Sequence, residues 1–88
     1  MKNNNNYFRL QSFYLAAFLF SKGMELVDVD KITHSKRATF VFLDSPEREA
    51  HVAAYNYSQQ DAPNSLVDAR RLVTAIKTLK EKRYQDTI

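Results

Sequence analysis

Apolar and polar residues alternate from Tyr7 to Gln11, with Phe8 and Leu10 on one side and Tyr7, Arg9 and Gln11 on the other. A period of two predicts a short strand. The alternation then gives way to Phe13–Phe20, eight consecutive apolar residues. Ser12 before the run suits a helix N-cap, its hydroxyl oxygen accepting a free amide hydrogen of the first turn. Gly23 after it suits a helix stop, because glycine takes positive φ without a Cβ penalty. The segment therefore predicts a helix that is apolar all round and buried as the centre of the core.

Between Met24 and Ile32 β-branched residues become frequent. Val27 and Val29 share one side by alternation, and Met24, Leu26 and Ile32 share the other with Asp28 and Asp30. This mixture predicts a strand whose second half leaves the core or which contains a bulge. Arg37–Leu43 alternates cleanly, with Ala38, Phe40 and Phe42 on one face and Arg37, Thr39, Val41 and Leu43 on the other. The polar link Thr33–Lys36 joins the two strands as an antiparallel hairpin.

Asp44-Ser45-Pro46-Glu47 then reads as a helix start, with Ser45 as cap and Pro46 in the first helical position. Ala50, Ala53, Ala54 and Tyr57 recur at helical spacing on its inner side. A loop over residues 58–64 follows. Ser65 and Asp68 resemble a capping box opening a third helix that runs to about Tyr84. Its apolar stripe is Ala69, Leu72, Val73, Ile76 and Leu79, and Lys80 and Arg83 stand where that stripe would continue. The last turns are thus expected to project beyond the body of the domain.

The element order is β-α-β-β-α-α. The fold class is α+β, a small three-stranded antiparallel sheet in the order 2-3-1 with the helices on one face. Residues 1–6 read as a flexible N-terminal tail, and residues 7–88 as a single α+β domain.

Composition narrows the classes of function. The chain has 88 residues, 44% of them hydrophobic, including six Phe and five Tyr, which is enough for a packed core. It has no cysteine, so disulfides, thiolate metal sites and thiol nucleophiles are excluded. With no apolar run near the roughly 20 residues of a membrane span, and no signal-like start, the expected location is cytoplasmic.

Catalytic candidates are sparse. His34 and His51 are the only histidines and have no partner at motif spacing. Asp28 and Asp30, with Asp44 as a third acid, have the hard oxygens that bind Mg²⁺ or Ca²⁺, but charges on a strand edge also discourage aggregation, and that explanation is simpler. One glycine cannot make a phosphate-binding loop. No enzyme activity, no cofactor and no metal are expected.

Charge and the open sheet face leave two binding roles. The net charge is +3, and between Leu66 and Tyr84 six bases stand against two acids. On strict alternation the face turned from the helices carries Tyr7, Arg9, Val27, Val29, Lys31, Arg37, Thr39 and Val41. In the first role Val27, Val29 and Val41 form an apolar centre that docks a protein or a second copy as a homodimer, with Leu79 and Tyr84 of the last helix as further anchors. In the second, Tyr7 stacks on a nucleic-acid base while Arg9, Lys31 and Arg37 contact phosphates, extended by Arg70, Arg71, Lys77 and Lys82. The expected function is a non-enzymatic interaction module, a homo-oligomer or protein-binding adaptor, with nucleic-acid binding as the alternative. Tyr55 and Tyr57 are assigned no special role, since a tyrosine near a helix end commonly buries its ring and keeps its hydroxyl wet.

Tyr7-Phe8-Arg9, Leu15-Ala16-Ala17-Phe18-Leu19, Gly23 and Phe40-Val41-Phe42-Leu43-Asp44 resemble a family of short prokaryotic and phage proteins known only as a domain of unknown function. The resemblance runs from Tyr7 to Arg83. It implies a compact α+β unit and supplies no catalytic residues.

Overall fold

The computed structural model describes residues 6–31 and 38–84. Its elements are β1 (Tyr7–Leu10), α1 (Phe13–Ser21), β2 (Leu26–Lys31), β3 (Ala38–Leu43), α2 (Arg48–Tyr57) and α3 (Ala69–Tyr84), with a short 3-10 turn at Pro63–Ser65. The sheet has the order β1-β3-β2, and both outer strands run antiparallel to β3. This is the expected 2-3-1 order. It follows from α1, which carries the chain from one edge strand to the other and leaves the central place to β3.

α1 begins and ends as its flanking residues dictate. The Ser12 hydroxyl oxygen accepts the Leu15 amide hydrogen at 3.3 Å. At the other end Gly23 has φ +103°, and its N–H donates to Phe20 O while Met24 N–H donates to Leu19 O. This paired closure satisfies two otherwise orphaned carbonyls and turns Met24 back onto Leu19. Ala16, Ala17, Phe18 and Leu19 are buried, Phe13, Leu15 and Phe20 are half-buried, and only Tyr14 stands out in solvent. The buried Ser21 hydroxyl donates to Phe18 O at 2.7 Å and so costs the core nothing.

The core is one cluster shared by α1, β3 and α3. It joins Ala16–Leu19 and Met24 to Ala38, Phe40 and Phe42 of the sheet and to Ala75 and Leu79 of α3. Phe8, Leu10, Leu26 and Val29 pack at its margin from the edge strands. Each large side chain buried here contributes about 1.5–3 kcal/mol relative to exposure, so the two phenylalanines of β3, Leu19 and Leu79 dominate.

Both later helices start later than the sequence predicts. Ser45 does not cap α2. The Asp44 carboxylate instead accepts the Ser45 N–H at 2.8 Å and pairs with the Arg48 guanidinium, so Pro46 and Glu47 form a turn and the helix opens at Arg48. Ser65 likewise stays in the 3-10 turn, its hydroxyl donating to Ala62 O. Asp68 is the cap of α3, its carboxylate accepting the Arg71 N–H at 3.0 Å.

The helix faces shift accordingly. On α2 Ala54 is buried and His51 and Val52 are half-buried, whereas Ala50, Ala53 and Tyr57 of the expected stripe are exposed. Two contacts set this phase: Tyr55 against Phe18, with centroids 5.3 Å apart, and the Arg48 guanidinium 4.4 Å from the centre of the Phe8 ring. On α3 the inward residues are Leu72, Ala75, Ile76 and Leu79, while Ala69 and Val73 face out. Past Leu79 the helix continues with Lys80, Glu81 and Lys82 exposed, as the interrupted stripe predicts.

Candidate functional site

β2 contains the feature that decides the surface. Its register on β3 passes from Leu26 opposite Phe42 directly to Asp28 opposite Val41, so Val27 is an extra residue. Val27 and Asp28 together face Val41, and from Asp28 onward the alternation is inverted. Val29, opposite Phe40, packs against the core, while Asp28 and Asp30, opposite Val41 and Thr39, are exposed.

Strict alternation therefore misassigns half of β2. Val29 is not an interface residue, because the bulge turns it inward. Lys31 pairs with Ala38 in the register, its side chain lies outside what the structure describes, and Arg37 lies outside the described residues. The expected face with three bases becomes one with a single described guanidinium, Arg9, and three described carboxylates, Glu25, Asp28 and Asp30.

The outer face now reads row by row. Tyr7 pairs with Leu43, and Glu25 lies on the other flank, its backbone carbonyl accepting the Leu43 N–H at 2.9 Å. The next row is Arg9, Val41 and Asp28, and beyond it lie Thr39 and Asp30. Tyr7 is 44% exposed, Val27 47% and Leu43 38%, an unusual apolar share for the solvent side of a small sheet. Val41 lies at the centre of the face but is only 5% exposed, so it supplies shape rather than free area. Asp28 Oδ1 accepts the Val29 N–H at 2.8 Å, which steadies the bulge.

The residues expected on α3 belong to a different surface. Leu79 is fully buried in the core and cannot anchor a partner. The Tyr84 side chain is outside what the structure describes. Arg70, Arg71, Lys77 and Lys82 are exposed, but α3 joins the core through Ala75 and Leu79 on the inner side of the sheet. They cannot extend a site on the outer face. Arg70 and Arg71 instead line, with Phe20, Thr74 and Thr78, an open groove of about 380 Å³ between α3 and the end of α1.

The catalytic candidates do not converge. His34 lies outside the described residues. His51 lines a shallow depression of about 250 Å³ with Glu25, Ser45 and Glu47, yet among the described residues no hydrogen bond links it to Ser45. The Asp44 carboxyl is held below its ordinary value by the Arg48 guanidinium, 3.1 Å away. Asp44 therefore serves as a helix-start clasp and is not available as a third ligand for Asp28 and Asp30. Among the described residues no group of three acids or histidines is placed to hold a metal ion, and no described helix is long and apolar enough to cross a membrane.

Comparison with known proteins identifies a family. The family model described as a domain of unknown function (DUF5659) covers residues 5–85, slightly more than the span of the resemblance read from the sequence. No curated protein and no solved structure matches the chain.

Proposed function

Starting from a chain that belongs to the DUF5659 family, whose function is unknown, we propose that this protein is a non-enzymatic interaction module that self-associates through the outer face of its sheet. One observation carries the reading: Tyr7, Leu43 and Val27 expose apolar surface side by side around Val41, on a face against which no described helix packs. Apolar surface gathered in one place, rimmed by charges, is what a docking site requires, whereas scattered apolar residues need no explanation.

The charge of the same face argues against phosphate. Among the described residues three carboxylates, Glu25, Asp28 and Asp30, stand by a single guanidinium and repel a nucleic-acid backbone, and one tyrosine is a poor stacking platform. Area sets the strength. Three strands about 4.8 Å apart and five residues long give a face of roughly 250 Å² per copy, below the standard interface size. The association is therefore weak, with a Kd in the micromolar range or above.

Sedimentation equilibrium up to about 1 mM protein tests the reading, a range chosen to cover such a Kd. The expected result is a mass rising towards twice the monomer value, abolished by Val27→Asp and by Leu43→Asp. A monomer at every concentration overturns it. So does salt-sensitive binding of short DNA or RNA that Val27→Asp leaves intact, since that would put the working surface on α3.

A further inference from the structure

We infer that the self-association is a two-fold dimer whose axis runs parallel to β3, so that Arg9 of each copy lies over Asp28 of the other. The inference rests on the self-association proposed above and adds the pairing that selects it. The register puts Arg9, Val41 and Asp28 in a single row, with the guanidinium on one edge strand and the carboxylate on the other. The two edges are separated by β3, hence by about 10 Å. Among the described residues Arg9 has no carboxylate partner, and the ion pair present is Arg48–Asp44. Asp28 engages Oδ1 with the Val29 amide, and no donor among the described residues reaches its Oδ2.

A face of this kind can stack on itself in two simple ways. A two-fold axis across the strands at this row sets β1 over β1 and β2 over β2, which brings Asp28 towards Asp28 and Arg9 towards Arg9. An axis along β3 exchanges the two edge strands and keeps each row at its own height. Arg9 then meets Asp28 twice, as an isologous interface requires. The same operation sets Val41 over Val41 and Leu43 over Leu43, and carries Tyr7 above the Val27 end of β2. Stacked sheets lie about 10 Å apart with strands nearly aligned, a gap that an arginine and an aspartate side chain together span. Like charges facing each other disfavour the other arrangement.

Charge exchange tests the pairing. Arg9→Asp and Asp28→Arg each place like charges opposite one another, and each alone is expected to weaken the dimer at least tenfold in sedimentation equilibrium. Mixed in equal amounts, the two variants regain near wild-type affinity as a heterodimer, because both cross-pairs are again of opposite sign. The double exchange in one chain regains it as a homodimer, and circular dichroism of that chain checks that the bulge tolerates the change. A wild-type dimer that neither single exchange weakens, or a mixture that stays dissociated, overturns the axis and leaves self-association standing. A wild-type chain that never dimerises overturns both.

Discussion

Phe8, Leu10, Leu26, Val29, Phe40 and Phe42 lie on one face of the sheet and pack under α1 and α3. Tyr7, Arg9, Val27, Asp28, Val41 and Leu43, drawn from the same three strands, lie on the other with no described helix over them. The inner face is sealed by large side chains. The outer face keeps Tyr7, Val27 and Leu43 half-exposed around a buried Val41, and its charges sorted, arginine on one edge and aspartates on the other. What separates the two faces on β2 is one extra residue. Without the bulge at Val27, Val29 would turn outward and Asp28 would point into the core at the cost of burying a charge. The bulge lets a strand with acidic residues line a hydrophobic core.

The comparison breaks most visibly by truncation. Phe40→Ala or Phe42→Ala removes a fully buried ring from the inner face and should cost about 3–5 kcal/mol. Val27→Ala on the outer face should cost under about 0.5 kcal/mol. Urea unfolding followed by circular dichroism reads both, and equal costs would erase the distinction between the faces.

A sharper cut comes from Val29→Asp against Val27→Asp. Strict alternation puts these residues on one side and predicts similar effects. The bulge predicts that Val29→Asp loses about 2–3 kcal/mol or more by burying a carboxylate without a partner, while Val27→Asp stays folded and only dissociates.

Gly23→Ala tests the closure that returns the chain from α1 to β2. A Cβ meets nothing within 4 Å there, so the cost is conformational. At φ +103° it should be about 1–2 kcal/mol.

The smallest expected effect is at the margin of the inner face, where Arg48 covers the Phe8 ring and pairs with Asp44. Asp44→Asn should lose about 0.5 kcal/mol or less, because the pair is partly solvated. The sign of its pH dependence is fixed. The folded carboxyl is held below its ordinary 3.8, so the pair's contribution is present above that value and is lost as pH falls through the lowered one. Wild type and Asp44→Asn should converge in stability under acid.

Strong local signals carried through from sequence to structure. The alternation of β1 and β3, the apolar octet, the Ser12 cap and Gly23 each correspond to a local physical requirement, and with them came the element order and the strand order. Signals that depend on tertiary contacts did not carry. The sequence offers Ser45 and Ser65 as caps, but Asp44 and Asp68 are the residues whose carboxylates accept amide hydrogens at the two helix starts. Alanine placed the inner stripes of α2 and α3 poorly, because it is tolerated on either side of a helix: Ala50 and Ala53 are out, Ala75 is in. For the candidate surface, the mixed pattern of residues 24–32 left open a bulge or a strand leaving the core, and did not give the position of a bulge. That position alone decides whether valine or aspartate faces out. Leu26 followed by two valines and two aspartates in alternation was the available clue, since only a shifted phase buries both Leu26 and Val29 and exposes both acids.

Concentration-dependent NMR of the amide resonances tests the docking surface most directly, because it reports where the copies meet and not only that they do. The account predicts that raising the protein concentration shifts Tyr7, Arg9, Val27, Asp28 and Leu43, while Arg70, Arg71 and Lys77 on α3 stay fixed. Shifts confined to α3, with the outer strands unchanged, would contradict it.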